Sequence, residues 1–435
     1  MPRPTRFCRF YIASLVIAIC CPAAHAQGPL LPGAGPISRS MGGASTAAPL
    51  DATGTLYWNP AAISGLPSSE LDLGLELLNP RSTISSSIPG GALGPGFPPA
   101  SASGRSHDDA GVFALPSGGF VYKPEESRWT FGLGLFPTAG FGTNFAGSST
   151  NPILSPPPPL GLGLGHVSSE YELLQIAPTV SYQLTDRLSV GFAPLIDVAQ
   201  LDVTPGVFFS PDAGQYPVAT SSRTAWGGGF QAGVYYVASD AWRLGASFKS
   251  PQWFEPFHYQ SADQFGRPVT GSFNLNAPLI ASIGAAYTGV DRLTIDADIR
   301  YVDFRNTLGV AATGFDSTGA VRGLGWNDAF VFALGAQYQL TDNFSIRAGY
   351  TYNTNPIPDQ NATFNVASPL VYQHQIAVGA SYHLGPNCVL SLTYCHIFES
   401  SITGPYLTPQ GPIPGATVSI GTQADSLVFG FSVRF

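Results

Sequence analysis

Leu334-Gly335-Ala336-Gln337-Tyr338-Gln339-Leu340, the polar turn Thr341-Asp342-Asn343, and Phe344-Ser345-Ile346-Arg347-Ala348-Gly349-Tyr350 read as two alternating runs about a hairpin. One face of each run is apolar, and the other carries Gln337, Gln339, Ser345 and Arg347. A period of two is the period of a β-strand, and a short polar turn between two such runs makes an antiparallel pair. The same signature, a tyrosine-ended run followed by a tight turn, recurs at Tyr122, Tyr182, Tyr236, Tyr287 and Tyr382. Leu293, Ile295, Ala297 and Ile299 likewise alternate with Thr294, Asp296, Asp298 and Arg300. Two folds share this period. A soluble sandwich turns its polar face to water, whereas a transmembrane barrel turns its apolar face to lipid and its polar face to the lumen.

Charge decides between them. Only 11% of the residues are charged, against about 25% in soluble proteins, so a water-facing polar surface is missing. Arg3, Arg6 and Arg9, an apolar run from Phe10 to Cys21 and Ala24-His25-Ala26 form a signal peptide over residues 1–26, with no lipid-attachment pattern before Cys20 or Cys21. Its removal takes the net charge from −8 to −11. Nucleic acid is thereby excluded as a partner, because binding it needs clustered cations. Beyond the signal no apolar run is long enough for a spanning helix, which leaves a closed barrel as the way to satisfy backbone groups in a bilayer. Cys388 and Cys395 are an odd number of positions apart on one strand, so they face opposite sides and do not bridge.

Six short turns join twelve strands. One strand before them, about Glu70–Asn79, and one after them, about Thr422–Phe435, give an all-β, 14-stranded antiparallel barrel with both ends periplasmic. Long loops are expected at 80–109, 139–169, 202–221, 257–272, 307–325, 355–370 and 401–420. The final strand places Leu427, Phe429, Phe431, Val433 and Phe435 on one face, and its terminal Phe435 resembles the signal read by barrel-assembly machinery. These features imply a Gram-negative outer membrane, with its lipid and lipopolysaccharide as surroundings. A monomer is expected.

Residues 27–68 precede the barrel, taken as 69–435, and hold no alternating strand. Within them Asn59 is suited to cap a turn, Pro60 to open it and Gly65 to stop it. Ser40-Met41-Gly42-Gly43-Ala44 and Asp51-Ala52-Thr53-Gly54-Thr55-Leu56-Tyr57-Trp58-Asn59-Pro60-Ala61 resemble the N-terminal plug of the FadL/TodX family of outer-membrane transporters, with its Asn-Pro-Ala motif. Phe131–Pro137, Ala246–Ser250 and Ser345–Ile357 resemble further segments of that family in the same order. The resemblance implies a plug inside the lumen and uptake of long-chain fatty acids or aromatic hydrocarbons. It also implies release by plug movement, or sideways at a kinked third strand.

The residues themselves offer candidates for each step. Gly132, Gly134, Pro137 and Gly140 fall in the third strand, where pairing should fail near Pro137 because proline donates no ladder bond. Phe208, Phe209, Trp253 and Phe254 are aromatic loop residues suited to capture or to an interfacial girdle. Arg243, Lys249, Arg300 and Arg347 face the lumen by parity; Lys249 and Arg347 are preferred anchors for a carboxylate, and Asp296 and Asp298 are preferred ion-pair partners of Arg300. The histidines show no metal-ligand spacing and no Ser-His-Asp set can be placed, so no catalytic residue, metal or cofactor is assigned. A nonspecific porin is the alternative reading, and a barrel-type lipid hydrolase a weaker one.

Overall fold

The computed structural model describes residues 30–94, 100–220, 223–263 and 265–435, and the signal-peptide reading over 1–26 lies outside them. Fourteen antiparallel strands form one closed ring: β1 (Glu70–Ile88), β2 (Phe113–Tyr122), β3 (Trp129–Phe145), β4 (Val167–Gln183), β5 (Leu188–Thr204), β6 (Ala225–Val237) and β7 (Trp242–Lys249). The second half is β8 (Leu279–Val290), β9 (Leu293–Asp303), β10 (Ala329–Thr341), β11 (Phe344–Asn353), β12 (His374–His383), β13 (Cys388–Thr408) and β14 (Gly411–Arg434). Each strand pairs with its chain neighbours, and β14 returns to β1 from Glu70↔Arg434 to Ser87↔Thr417. Apart from one stretch between β2 and β3, closure leaves no exposed edge on the ring, as a lipid environment requires.

The strands are apolar outside and polar inside. Leu71, Leu73 and Leu75 of β1 and Leu427, Phe429 and Phe431 of β14 are exposed, while Glu70, Asp72 and Glu76 are buried. In the opening hairpin Leu334, Tyr338 and Ile346 are exposed, whereas Ser345 and Arg347 are buried. Cys388 and Cys395 are free. Phe435 stacks on Phe120 of β2 with ring centroids 6.1 Å apart, beside the seam between β14 and β1.

Three expected loops are largely strand. Residues 401–420 form the outer half of the β13–β14 hairpin, paired as far as Thr408↔Gly411. β1 runs on to Ile88 and pairs with a short strand, Ala102–His107. Residues 257–272 include a separate hairpin in which Phe257–Ala262 pairs with Pro268–Phe273. The outward positions Thr83, Ser85, Ser87, Thr417 and Ser419 are polar, which hid these extensions: beyond the bilayer a strand keeps its ladder and no longer needs an apolar outer face. The inner face kept the signal, with Ile84, Ile88, Val418 and Ile420 all buried.

Candidate functional site

Residues 30–68 are almost entirely buried and contain two short helices, α1 (Gly35–Ser40) and α2 (Ala52–Trp58). Asp51 caps α2 by accepting from the Gly54 N–H at 3.3 Å. Asn59 ends that helix and also opens the next turn, its side-chain oxygen accepting from the Ala61 N–H and its carbonyl from the Ala62 N–H, both at 3.1 Å, ahead of a 3₁₀ turn over Ala62–Gly65. Gly65 is the last residue of that turn and has no left-handed φ. A Cβ there would meet the Tyr235 ring at 2.9 Å, so glycine serves a close approach rather than a helix stop.

This segment bonds to strands all round the ring, which places it within the barrel. On β1, Glu76 accepts from Arg39 at 2.7 Å and Asp72 from the Thr53 N–H at 3.0 Å. On β9, Asp298 accepts from the Ser45 and Thr46 N–H groups and from Arg300 at 2.6 Å. Ser181 of β4 donates to the Ala61 carbonyl, Thr351 of β11 to that of Gly42, and Thr393 of β13 to that of Pro36. The Asn59 amide donates to the carbonyls of Thr46 (2.9 Å) and Val234 on β6 (3.0 Å), and its oxygen accepts from the Ala61 N–H. Inward glycines let the backbones meet: an added Cβ at Gly349 would lie 2.0 Å from the Gly42 nitrogen.

Beside the segment the ring is open. β3 pairs with β2 only from Tyr122↔Phe131 to Gly118↔Leu135. Past that point β2 continues along β1, and β3 continues along β4 through a bulge between Pro137 and Ala139. Pro116 and Pro137 sit on the two facing edges, and neither has an N–H to donate. Asp108 and Asp109 close the window above by bonding Asn144 at 2.7 and 3.0 Å. On the lumen side the N-terminal segment meets the kink, with the Leu31 N–H donating to the Thr138 carbonyl at 3.1 Å and Tyr57 donating to the Leu31 carbonyl at 3.0 Å. Burial pushes the Tyr57 phenol up, so it stays a donor at neutral pH.

A cavity of about 320 Å³ lies behind the window. Phe113, Pro116, Pro137, Gly140, Phe141 and Tyr171 line its wall side, and Leu31, Pro32, Leu370 and Tyr372 its inner side. Arg39 and Glu172 are the charged lining residues among those described. A second cavity of about 390 Å³ lies among the outer connections, lined by Leu162, Leu164, Val207, Phe364, Val366 and Tyr406 with others.

The sequence candidates are dispersed about these spaces. Pro137 and Gly140 line the inner cavity; Gly134 lies below it, where an added Cβ would enter the ring of Phe136. Phe136 packs edge-on to Tyr57 at 5.4 Å, joining β3 to α2. Asn59, Pro60 and Ala61 sit across the lumen against β4, β5 and β6. Phe208 and Phe209 pack on Tyr259, with Phe208 also stacked on Phe273, and line neither cavity. Trp253 is 56% exposed and pairs with Gly228 on the outward face, while Phe254 faces the core. Lys249 donates to Gln175 at 3.1 Å and lies 4.7 Å from the Tyr57 ring centre. Arg347 donates to Gln337, Ser381 and Ser345 in a separate crevice near Arg434. Arg300 is held by Asp298 and lies 3.6 Å over the Trp58 ring, and Arg243 donates to Thr288. Sequence reasoning missed Arg39, Pro116, Tyr171 and the 367–372 stretch; Pro116 alone carried a signal, as a proline within a strand.

The chain matches the family described as outer membrane protein transport protein (OMPP1/FadL/TodX) over residues 14–435. It is 23% identical over 257 residues to outer membrane protein P1 of Haemophilus influenzae, a match covering 55% of this chain and 52% of that protein. It thus spans about half the length of that relative. With the long-chain fatty acid transport protein of Shigella flexneri it shares 21% over 403 residues, covering 82% and 85% of the two chains. The fold is similar to that of the P. putida toluene transporter TodX, with a TM-score of 0.68 at 18% identity over 93% of this chain and 99% of TodX. A Pseudomonas aeruginosa FadL homologue superposes with a TM-score of 0.69 at 17% identity, covering 94% and 99%. With a family match across nearly its whole length and a closed barrel apolar on its outer face, the chain belongs to the OMPP1/FadL/TodX family of outer membrane transport proteins.

Proposed function

We propose that this protein takes up small hydrophobic compounds across the outer membrane, with residues 30–68 as a plug and the β2–β3 window as a lateral exit. The observation that carries the reading is the apolar cavity lying directly behind an unpaired stretch of barrel wall. An apolar solute gains roughly 25 cal/mol per Å² on leaving water, so it favours apolar walls at each stage over a wet pore. The outer cavity serves capture, the inner one holds the cargo beside the plug, and the window hands it to the bilayer. Lipid, rather than periplasmic water, then receives it.

The charge of the inner wall favours an uncharged cargo. Arg39 is already paired with Glu76 at 2.7 Å, and the other charged lining residue, the exposed Glu172, is negative. Lys249 and Arg347, the carboxylate anchors expected from parity, do not line this cavity. An aromatic hydrocarbon therefore suits it better than a fatty acid, whose carboxylate would meet there only Arg39, its charge already balanced by Glu76 although its Nε and Nη1 hold no partner among the described residues. Uptake of labelled toluene and labelled oleate, measured in cells without their own transporters, tests this: toluene uptake should exceed that of oleate. Oleate uptake alone would overturn the preference, and uptake of neither would overturn the transport reading. A nonspecific porin is disfavoured because the N-terminal segment bonds to the wall on every side.

A further inference from the structure

The outer and inner cavities lie on either side of a thin strap in the β11–β12 connection. Thr363, Phe364, Val366 and Ala367 face the outer cavity, while Pro369, Leu370 and Tyr372 face the inner one. The lining changes sides between Ala367 and Pro369, two positions apart.

The two halves of the connection are held differently. The half before Ala367 is anchored by side-chain amides: Asn361 donates to the Gly325 carbonyl at 2.6 Å, Asn365 to that of Leu324 at 2.9 Å, and Trp326 to Asn365 at 2.6 Å. Thr363 adds a bond to the Pro405 carbonyl at 2.7 Å on β13. The strap itself presents carbonyls to hydroxyls on the barrel wall. The Ala367 carbonyl accepts from Thr143 of β3 at 3.2 Å and from Ser169 of β4, and the Pro369 carbonyl accepts from Thr422 of β14. Hydroxyl donors rotate freely and pair as readily with water or one another, and Thr143 and Ser169 already lie 3.1 Å apart. When the strap lifts, one of these two hydroxyls can donate to the other, and water entering the gap can take the remaining donor and the freed carbonyls.

We propose that Ala367–Leu370 is an outer gate between the capture groove and the inner cavity, latched by Thr143, Ser169 and Thr422. The gate is tied to the plug, because Tyr372 donates to the Leu30 carbonyl at 3.3 Å while Leu30 bridges Ala139 at the kink of β3. Cargo leaving the groove must lift the strap, and lifting it loads the Tyr372 contact to the segment that lines the exit. The gate rests on the uptake reading above.

The test is a reversible lock. Ser169→Cys and Ala367→Cys are combined with Cys388→Ser in the full-length chain, and uptake of labelled toluene is measured in cells lacking their own transporters. Oxidation, with the cross-link verified by mass spectrometry, should bring uptake to the level of cells without the protein, and reductant should restore it. The unlatched variant Thr143→Ala with Ser169→Ala should take up toluene faster than the native chain while keeping the heat-resistant migration of a folded barrel. Uptake by the cross-linked protein at the reduced rate overturns the gate alone. Absence of uptake by the reduced protein overturns the passage and the gate together.

Discussion

Asn59 illustrates how single residues tie the N-terminal segment to the barrel wall. Its amide spans two carbonyls from different parts of the structure, Thr46 in the segment and Val234 in the wall. Replacing it with alanine leaves both carbonyls buried without that donor, at a cost of roughly 1–3 kcal/mol for each. The barrel should still insert, while planar-bilayer recordings should show larger and more frequent openings than in the native protein. Asp51 adds a pH dependence. Burial and the neighbouring Asp72 carboxylate push it from its ordinary 3.8 up to about 8. The folded protein then keeps a proton that the released segment would lose, so the stabilisation is full below the ordinary value and drains as pH rises toward about 8. Conductance should increase across that window, and Asp51→Asn should flatten the rise.

Among the elements, those in contact with lipid were the most legible from the chain. Leu334–Tyr350 could be read as a hairpin because its outward side chains must be apolar and its inward ones polar. The same rule failed on the outer halves of β1, β13 and β14, where polar residues face outward and the strand continues all the same. The kink was legible through Pro137, but the cavity was not: it is assembled from β1 to β4, β13, β14, the N-terminal segment and the β11–β12 connection. No local pattern shows which of these meet. Phe208 and Phe209 misled for a related reason, since aromatic loop residues are as useful for packing a loop as for catching a ligand. The tip of the β13–β14 hairpin gives a test at this scale. Tyr406, Leu407 and Pro409 line the outer cavity, so removing residues 406–413 should raise the toluene concentration needed for half-maximal uptake while sparing the maximal rate.

At the scale of the whole molecule, a polar-lined ring is filled by a segment whose own polar groups are matched to it. Carboxylates on β1 and β9 receive N–H groups and Arg39 from the segment, and hydroxyls on β4, β11 and β13 receive none but donate to its carbonyls. Deleting residues 30–66 should therefore give a folded barrel with a wide, water-filled conductance, because the exposed lumen is hydrophilic. On the proposed reading, apolar traffic is confined to the window side, where β2 and β3 part. The most direct test is to obstruct the cavity without touching the N-terminal segment: Gly140 lines it, an added Cβ there meets only the Tyr171 carbonyl oxygen, at 3.0 Å, and Gly140→Phe places a ring at this point of its wall. In cells lacking their own transporters, the native chain should raise labelled toluene uptake and Gly140→Phe, inserted to the same level, should abolish that gain. Uptake by Gly140→Phe at the native rate would contradict passage through this cavity.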